Sequence, residues 1–367
     1  FYFVLMGFFG LAIMLGYRYR IAIIVYTILW AGAYFMQKSS YNNHYYLLLL
    51  ISFLLIFLPA NKYASLDVKQ NRISEKNTMP YWINLLFIIQ IAIVYVFASL
   101  AKFYPDWLDG TFTKNLLSGT TSRPFFLELF SQKWFYLFIA YAGILFDLLI
   151  VPFLLFKKTR TLALIASVIF HIFNSITLQI GIFPFFALTF ALFFYEPETI
   201  RRLFLRKKPK LEDENLSQNL YGKRIVYFLM IPYLIIQIAL PLRHHFIEGD
   251  VLWTEEGHRL SWRMMLRERN GYITIQIKDL KTGSVSIYNY RKNLTNKQAQ
   301  NLATKPDFIW QYCQRIKEEY KGKPIAIYID CKNSINRKEY KSLIDPNYDM
   351  AKAEWNYFAH NEWILLY

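Results

Sequence analysis

Apolar residues gather into long unbroken runs before residue 242 of this chain and give way to alternating and mixed patterns after it. A helix crossing the hydrocarbon of a bilayer needs roughly 20 apolar residues. The runs that approach this length are residues 1–16, 21–37, 45–59, 82–102, 134–156, 161–180, 182–195 and 225–241. Trp82–Lys102 and Trp134–Phe156 are the clearest, whereas 182–195 is short, follows Gly181 and carries Pro184, which fits either a crossing or a re-entrant turn. Backbone groups in lipid have no water to bond, so the oily region must be helical. The pattern predicts a membrane all-α helical bundle of about eight spans over residues 1–241.

Residues 242–367 read differently. Tyr272–Lys278 alternates apolar and polar side chains, the signature of a half-buried strand. Lys281–Gly283 is a turn, and Ser284–Tyr290 is the returning strand. Residues 296–321 have a helical period, with Trp310, Cys313 and Ile316 on one face, and Pro324–Asp330 is a further strand. The expectation is a small extracytoplasmic α+β domain.

Charge supplies the orientation. The net charge is +16, but Lys and Arg concentrate in short loops between apolar runs, where they orient a membrane protein. Arg18 and Arg20, then Lys62, Lys69, Arg72 and Lys76, then Lys157, Lys158 and Arg160, then Arg201 to Lys210 all fall on one side. Positive-inside makes that side cytoplasmic. The Lys38–His44 loop, loop 103–133, the Gly181 turn and the C-terminal domain then lie on the other side. The implied location is a bacterial inner membrane, or the endoplasmic reticulum membrane in a eukaryote. No basic readout helix or zinc pattern points to nucleic acid. The first residue, Phe1, opens directly on an apolar run, as in a chain that has lost its N-terminus. The two cysteines, Cys313 and Cys331, fit a disulfide and free thiols equally well.

Ionisable and polar groups inside spans are candidates for function. Lys102 ends its run and reads either as a snorkelling lysine or as a desolvated amine acting as a base. His44 stands at the mouth of a span after Asn42 and Asn43. His171, Asn174 and Ser175 share one helical face, suited to a site or to helix–helix hydrogen bonds. His244 and His245 follow the last span, and Asp147 is an intramembrane acid suited to pairing with a buried cation or with a helix donor. With no HExxH motif and no cysteine cluster, no metal is expected. In the derived orientation, His44, Lys102 and His244 lie at outer ends of their spans. Such convergence suits a lipid-soluble substrate better than a transporter's through-path.

These residues sit in strings whose order and spacing resemble the vitamin K-dependent gamma-glutamyl carboxylase family, including its horizontally transferred transmembrane domain. The strings are Asn42-Asn43-His44; Val94 to Lys102 with Asp106-Trp107; His171 with Asn174-Ser175 and Gly181 to Phe183; Leu240-Pro241 with His244, Gly249 and Trp253; Ser261-Trp262, Met264-Met265 and Arg269; and Asp345-Pro346, Asp349 and Trp355. The resemblance implies a membrane bundle with an extracytoplasmic domain. It implies vitamin K hydroquinone (phylloquinone or menaquinone type) as cofactor, dioxygen and carbon dioxide as co-substrates, and a glutamate-containing peptide as substrate. Lys102 matches the base that deprotonates the hydroquinone. The oxygenated quinone then removes a γ-proton from glutamate, carbon dioxide is captured, and the vitamin leaves as its epoxide. Asn43, His44, His171 and Asn174 match positions near the quinone, while His244, Trp262 and Arg269 match positions on the glutamate side. Three positions depart from the pattern. Ala101 stands where the family has a first lysine, and Arg263 and Arg267 stand where it has an acid and a histidine. Those departures leave open a quinol epoxidase that does not carboxylate, beside a non-enzymatic transporter or binding protein.

Overall fold

A computed structural model describes residues 1–36, 38–119, 124–178, 183–209 and 220–367. The Gly181 turn, the last residues of the 161–180 run, the first residue of the 182–195 run and Lys210 lie outside the described residues. The chain forms two compact units, Phe1–Val96 with Phe146–Gln237, and Phe97–Leu145 with Ile238–Tyr367.

Among the described residues, four helices are long and apolar enough to cross a membrane: Tyr81–Leu100, Lys133–Leu155, Arg160–Thr177 and Gly222–Phe246. Four more apolar helices are shorter: Tyr2–Leu15, Tyr19–Phe35, Asn43–Phe57 and Phe183–Phe194. In their described residues all eight apolar runs hold a helix, but four of these helices have fewer than 18 residues, short of the roughly 20 that a crossing takes. Local stop signals set the shorter lengths. Gly16, at φ 61°, closes the first helix. The Asp67 carboxylate accepts hydrogen bonds from the backbone amides of Arg18 and Tyr19 and from Asn61, which fixes the start of the second. Leu58 leaves helical geometry after Phe57.

Polar side chains link helices within the first unit. The Tyr233 hydroxyl donates to Gln90 at 2.5 Å, and Gln237 and Tyr46 bond each other at 3.0 Å. In an apolar surrounding such bonds fix helix register where dispersion alone leaves it loose. Leu54, Leu86, Met230 and Tyr233 pack around them.

The C-terminal sheet lies in the second unit. Its strands are β1 (Arg269–Asp279), β2 (Val285–Ile287), β3 (Ile325–Ile335) and β4 (Lys341–Ser342), in the antiparallel order β2-β1-β3-β4. Ile273, Ile275 and Ile277 of β1 are buried, as their alternation requires. They meet Ile327 and Ile329 of β3, and Ile309, Cys313 and Ile316 of a covering helix. The helical stretch expected over 296–321 is two helices, Asn296–Leu302 and Pro306–Glu319. Pro306 lacks an amide hydrogen and forces Lys305 into an extended conformation, so the helix restarts there. The returning strand expected over Ser284–Tyr290 is only the three residues of β2, followed by a 3-10 turn at Tyr290–Asn293. Both cysteines are buried free thiols.

Two buried carboxylates tie down the ends of this unit. Glu256 accepts hydrogen bonds from His360, at 2.8 Å, and from the backbone and side chain of Asn361. Asp106 accepts from Asn336, at 2.8 Å, and from Lys338, at 2.6 Å.

Candidate active site

In the first unit, the site begins at the start of the Asn43–Phe57 helix. Asn42 caps it, accepting the His44 amide at 2.7 Å. This locks the His44 backbone and presents its ring face-on to Phe183, with centroids 3.5 Å apart and planes 7° from parallel. His171 approaches the same Phe183 edge-on at 6.4 Å. It is only 4% exposed. Its Nε2 bonds the Tyr95 hydroxyl at 3.1 Å, and Phe146 and Phe170 stand edge-on to its ring. Asn43 is buried and accepts the Tyr41 hydroxyl at 2.7 Å. Asn174 and Ser175, one turn beyond His171, are half-buried. The sequence-predicted His44 and His171 are thus brought together around one phenylalanine. Replacing Asn42 with alanine removes the helix cap, with an expected loss of ~0.5–2 kcal/mol. Thermal unfolding in detergent measures it, and an unchanged midpoint would refute the capping role.

In the second unit, Lys102 is 8% exposed, and its amine does not extend outward. Nζ turns back along its own helix to the Ala98 carbonyl at 2.9 Å and faces the Trp107 ring at 5.3 Å. Ala98 is one of the last carbonyls of the helix, which lack partners in the helix itself. Trp107 is held in turn by its indole N–H, which donates to the Ala140 carbonyl at 3.0 Å. Two residues past Lys102, the Tyr104 hydroxyl donates to the Leu266 carbonyl. Ala101, Trp107, Leu252 and Leu266 share one apolar cluster. The lysine segment is therefore anchored to the Trp262–Arg269 segment.

That second segment carries a dense charge cluster. Glu255, at φ 61°, receives Arg267 and Arg269 on the same carboxylate oxygen, Arg269 at 3.2 Å, while His258 stands 3.9 Å from the other. Arg269 also donates to Asn333 at 2.9 Å. Burial alone would raise the Glu255 carboxyl, but Arg267, His258, Arg269 and Lys305 outweigh it and hold the group well below the usual carboxylate range. Burial pushes the His258 imidazole down to about 3 against the pull of Glu255, with Arg267, Arg263 and Arg259 adding to the effect. The ring is therefore neutral at pH 7. Trp262 is fully buried at φ 58°. His244 bonds the Pro241 carbonyl at 2.8 Å, lies 3.5 Å from Arg263, and packs so tightly on Gly257 that a Cβ there would stand 2.7 Å from its own.

Residues 1–198 match the HTTM domain, and residues 222–367 match the vitamin K-dependent gamma-carboxylase, lumenal domain. The chain belongs to the vitamin K-dependent gamma-carboxylase family. No solved structure matches it. Like the family its two halves match, this gamma-carboxylase homologue joins a membrane part to a domain of the lumenal type.

The family implies a quinol, and the residues around Phe183 fit one. Stacked and edge-on rings offer flat apolar surfaces of the right kind, and two imidazoles and a phenol can bond ring oxygens. Among the described residues, no group of three or more His, Cys, Asp or Glu is placed to hold a metal ion. Sequence reasoning missed Tyr95, Tyr104, Glu255 and His258. Tyr95 carried a signal, being a phenol within an apolar span. Glu255 and His258 had none, because they lie in a short irregular segment whose pattern does not show which groups are buried together.

Proposed function

We propose that this protein is a vitamin K hydroquinone-dependent carboxylase that converts peptide glutamate to γ-carboxyglutamate and releases the vitamin as its epoxide. The observation that carries the reading is Lys102, an amine withdrawn from solvent and held at its helix end in a member of this family. Lys102 is assigned as the base that takes the quinol hydroxyl proton. A base of this kind works only when it is held within reach of the proton that it removes. When bound, the hydroquinone supplies, together with dioxygen, the base strength that a γ-carbon proton demands and no side chain possesses. His44 and His171 bond and orient the ring oxygens, with Asn43 and Asn174 supporting their helix faces. His244, Trp262 and Arg269 are assigned to the glutamate side. The apolar surroundings keep water from quenching the carbanion before it reaches carbon dioxide.

The proposed arrangement has about eight crossings over residues 1–241, with the shorter helices accommodated by local thinning of the bilayer. Residues 242–367 form the extracytoplasmic domain. The excess of Lys and Arg in alternate loops supports that orientation.

Purified protein given reduced vitamin K, dioxygen, labelled bicarbonate and a glutamyl peptide is expected to yield epoxide and peptide-bound label together. Epoxide alone would reduce the function to quinol epoxidation, in keeping with Arg263 and Arg267 at the departing positions. Neither product from protein with bound quinol would sink the enzymatic reading.

A further inference from the structure

Past the Phe183–Phe194 helix the chain turns at Tyr195 and starts a short amphipathic helix, Pro197–Phe204. Pro197 at its first position and Glu198 in its first turn favour the start, and Arg201 and Arg202 in the last turn suit the negative end of the helix dipole. Their spacing puts Ile200, Leu203 and Phe204 on one face and Glu198, Arg201 and Arg202 on the other. Leu203 is 58% and Phe204 66% exposed, and no residue of this helix is buried. Both ends are nevertheless held within the first unit. Glu196 pairs with Lys157 at 2.9 Å, and Arg160 faces the Tyr195 ring at 5.5 Å. Arg201 donates to both Glu198 oxygens at 2.7 Å and to the Lys208 carbonyl at 2.8 Å, while the Lys208 amine faces the Tyr63 ring at 4.7 Å. Arg202, Arg206 and Lys207 form an exposed rim beside the apolar face and make no ion pair among the described residues.

We propose that the Pro197–Phe204 helix is a seat for the anionic phospholipid surface of the membrane, with Leu203 and Phe204 among acyl chains and the rim cations on headgroup phosphates. A helix held at both ends with two large apolar side chains turned outward needs an apolar cover. That cover is a bilayer because the helix follows almost directly on one of the apolar helices of the membrane part. It is an anionic one because cations flank the apolar side chains, and only such a surface is oily and negative at once. The preceding helix carries Phe183 at its far end, so the seat fixes the depth of the ring that His44 and His171 flank. None of this depends on the chemistry at Lys102.

The test uses the full chain in lipid nanodiscs. Cys313 and Cys331 are buried, so Leu203→Cys supplies the thiol that takes an environment-sensitive fluorophore in the folded protein. Its emission is expected to lie further to the blue in discs containing phosphatidylglycerol than in discs of phosphatidylcholine alone. The difference should shrink as salt is raised, since exposed charges are screened. Arg202→Gln, Arg206→Gln and Lys207→Gln together are expected to abolish it, each charge being worth roughly fivefold in affinity for an anionic surface. Lys69→Gln with Lys76→Gln, on a different basic loop, should leave it in place. All these side chains are exposed, so the fold is kept, and the salt series on the labelled chain decides if a variant does not fold. Equal emission in the two kinds of disc, or a difference that survives removal of the rim cations, would overturn the seat. Inorganic phosphate that reproduces the shift in phosphatidylcholine discs would overturn the lipid assignment in favour of a free oxyanion.

Discussion

Lys102→Ala eliminates epoxide and carboxylated peptide together, with a fall of ~10²–10⁴-fold in turnover, the usual worth of a positioned base. Both products are lost because proton removal from the quinol precedes either. The folded state survives, since the change leaves the apolar cluster around Trp107 intact. Lys102→Arg separates structure from chemistry. A guanidinium can still bond the Ala98 carbonyl and face the indole, yet it does not lose its proton in proteins. The arginine variant should therefore fold and be inactive. A small primary amine in the buffer should restore part of the alanine variant's turnover and none of the arginine variant's. Retained activity in the arginine variant would show that the amine is not the base.

Glu255→Gln has the largest expected effect on stability. It keeps the shape of the side chain and withdraws the one charge that Arg267 and Arg269 share. Removing one partner from a buried ionic cluster costs ~3–5 kcal/mol, because the other charges remain without compensation. The sign with pH follows from the depressed carboxyl of the folded state. Its contribution is fully present above the ordinary value of 4.5 and is lost as pH falls from there toward the folded-state value. The gap between wild type and variant should accordingly be widest near neutrality and narrow below about 4.5. Denaturant midpoints from pH 7 to pH 3.5 measure it. A gap that widens on acidification would refute the account. His258, neutral when folded, adds a loss of its own in the same direction as pH falls below its ordinary 6.5.

Several features were legible in the residues because their signals are local. Each apolar run needs only its own composition to be oily, so each of the eight holds a helix in its described residues. The alternation in Tyr272–Lys278 places Ile273, Ile275 and Ile277 on one face without reference to any other strand. The helical period through Trp310, Cys313 and Ile316 was also sound, but it hid the break at Pro306. β4 has two residues, too few to show any period. Lengths were less secure than identities. The end of a helix depends on caps such as the Asp67 carboxylate, which reaches Arg18 and Tyr19 from nearly fifty residues away.

The candidate site divides along the same line. The types of residue were visible: a lysine closing an apolar run, histidines within or beside such runs, and a tryptophan–arginine segment after them. Their surroundings were not. That His44 lies flat on Phe183 depends on chain segments far apart in order, and that the Lys102 amine turns back to Ala98 and Glu255 draws two arginines onto one oxygen depends on side-chain conformations that the order of residues does not show. By itself the sequence determined the family, the oily character of the first part and the sheet-bearing character of the second, since hydrophobic pattern and motif spacing act over a few residues. Only the tertiary structure decided which polar groups are buried and what they face, because desolvation and charge pairing are properties of neighbours in space.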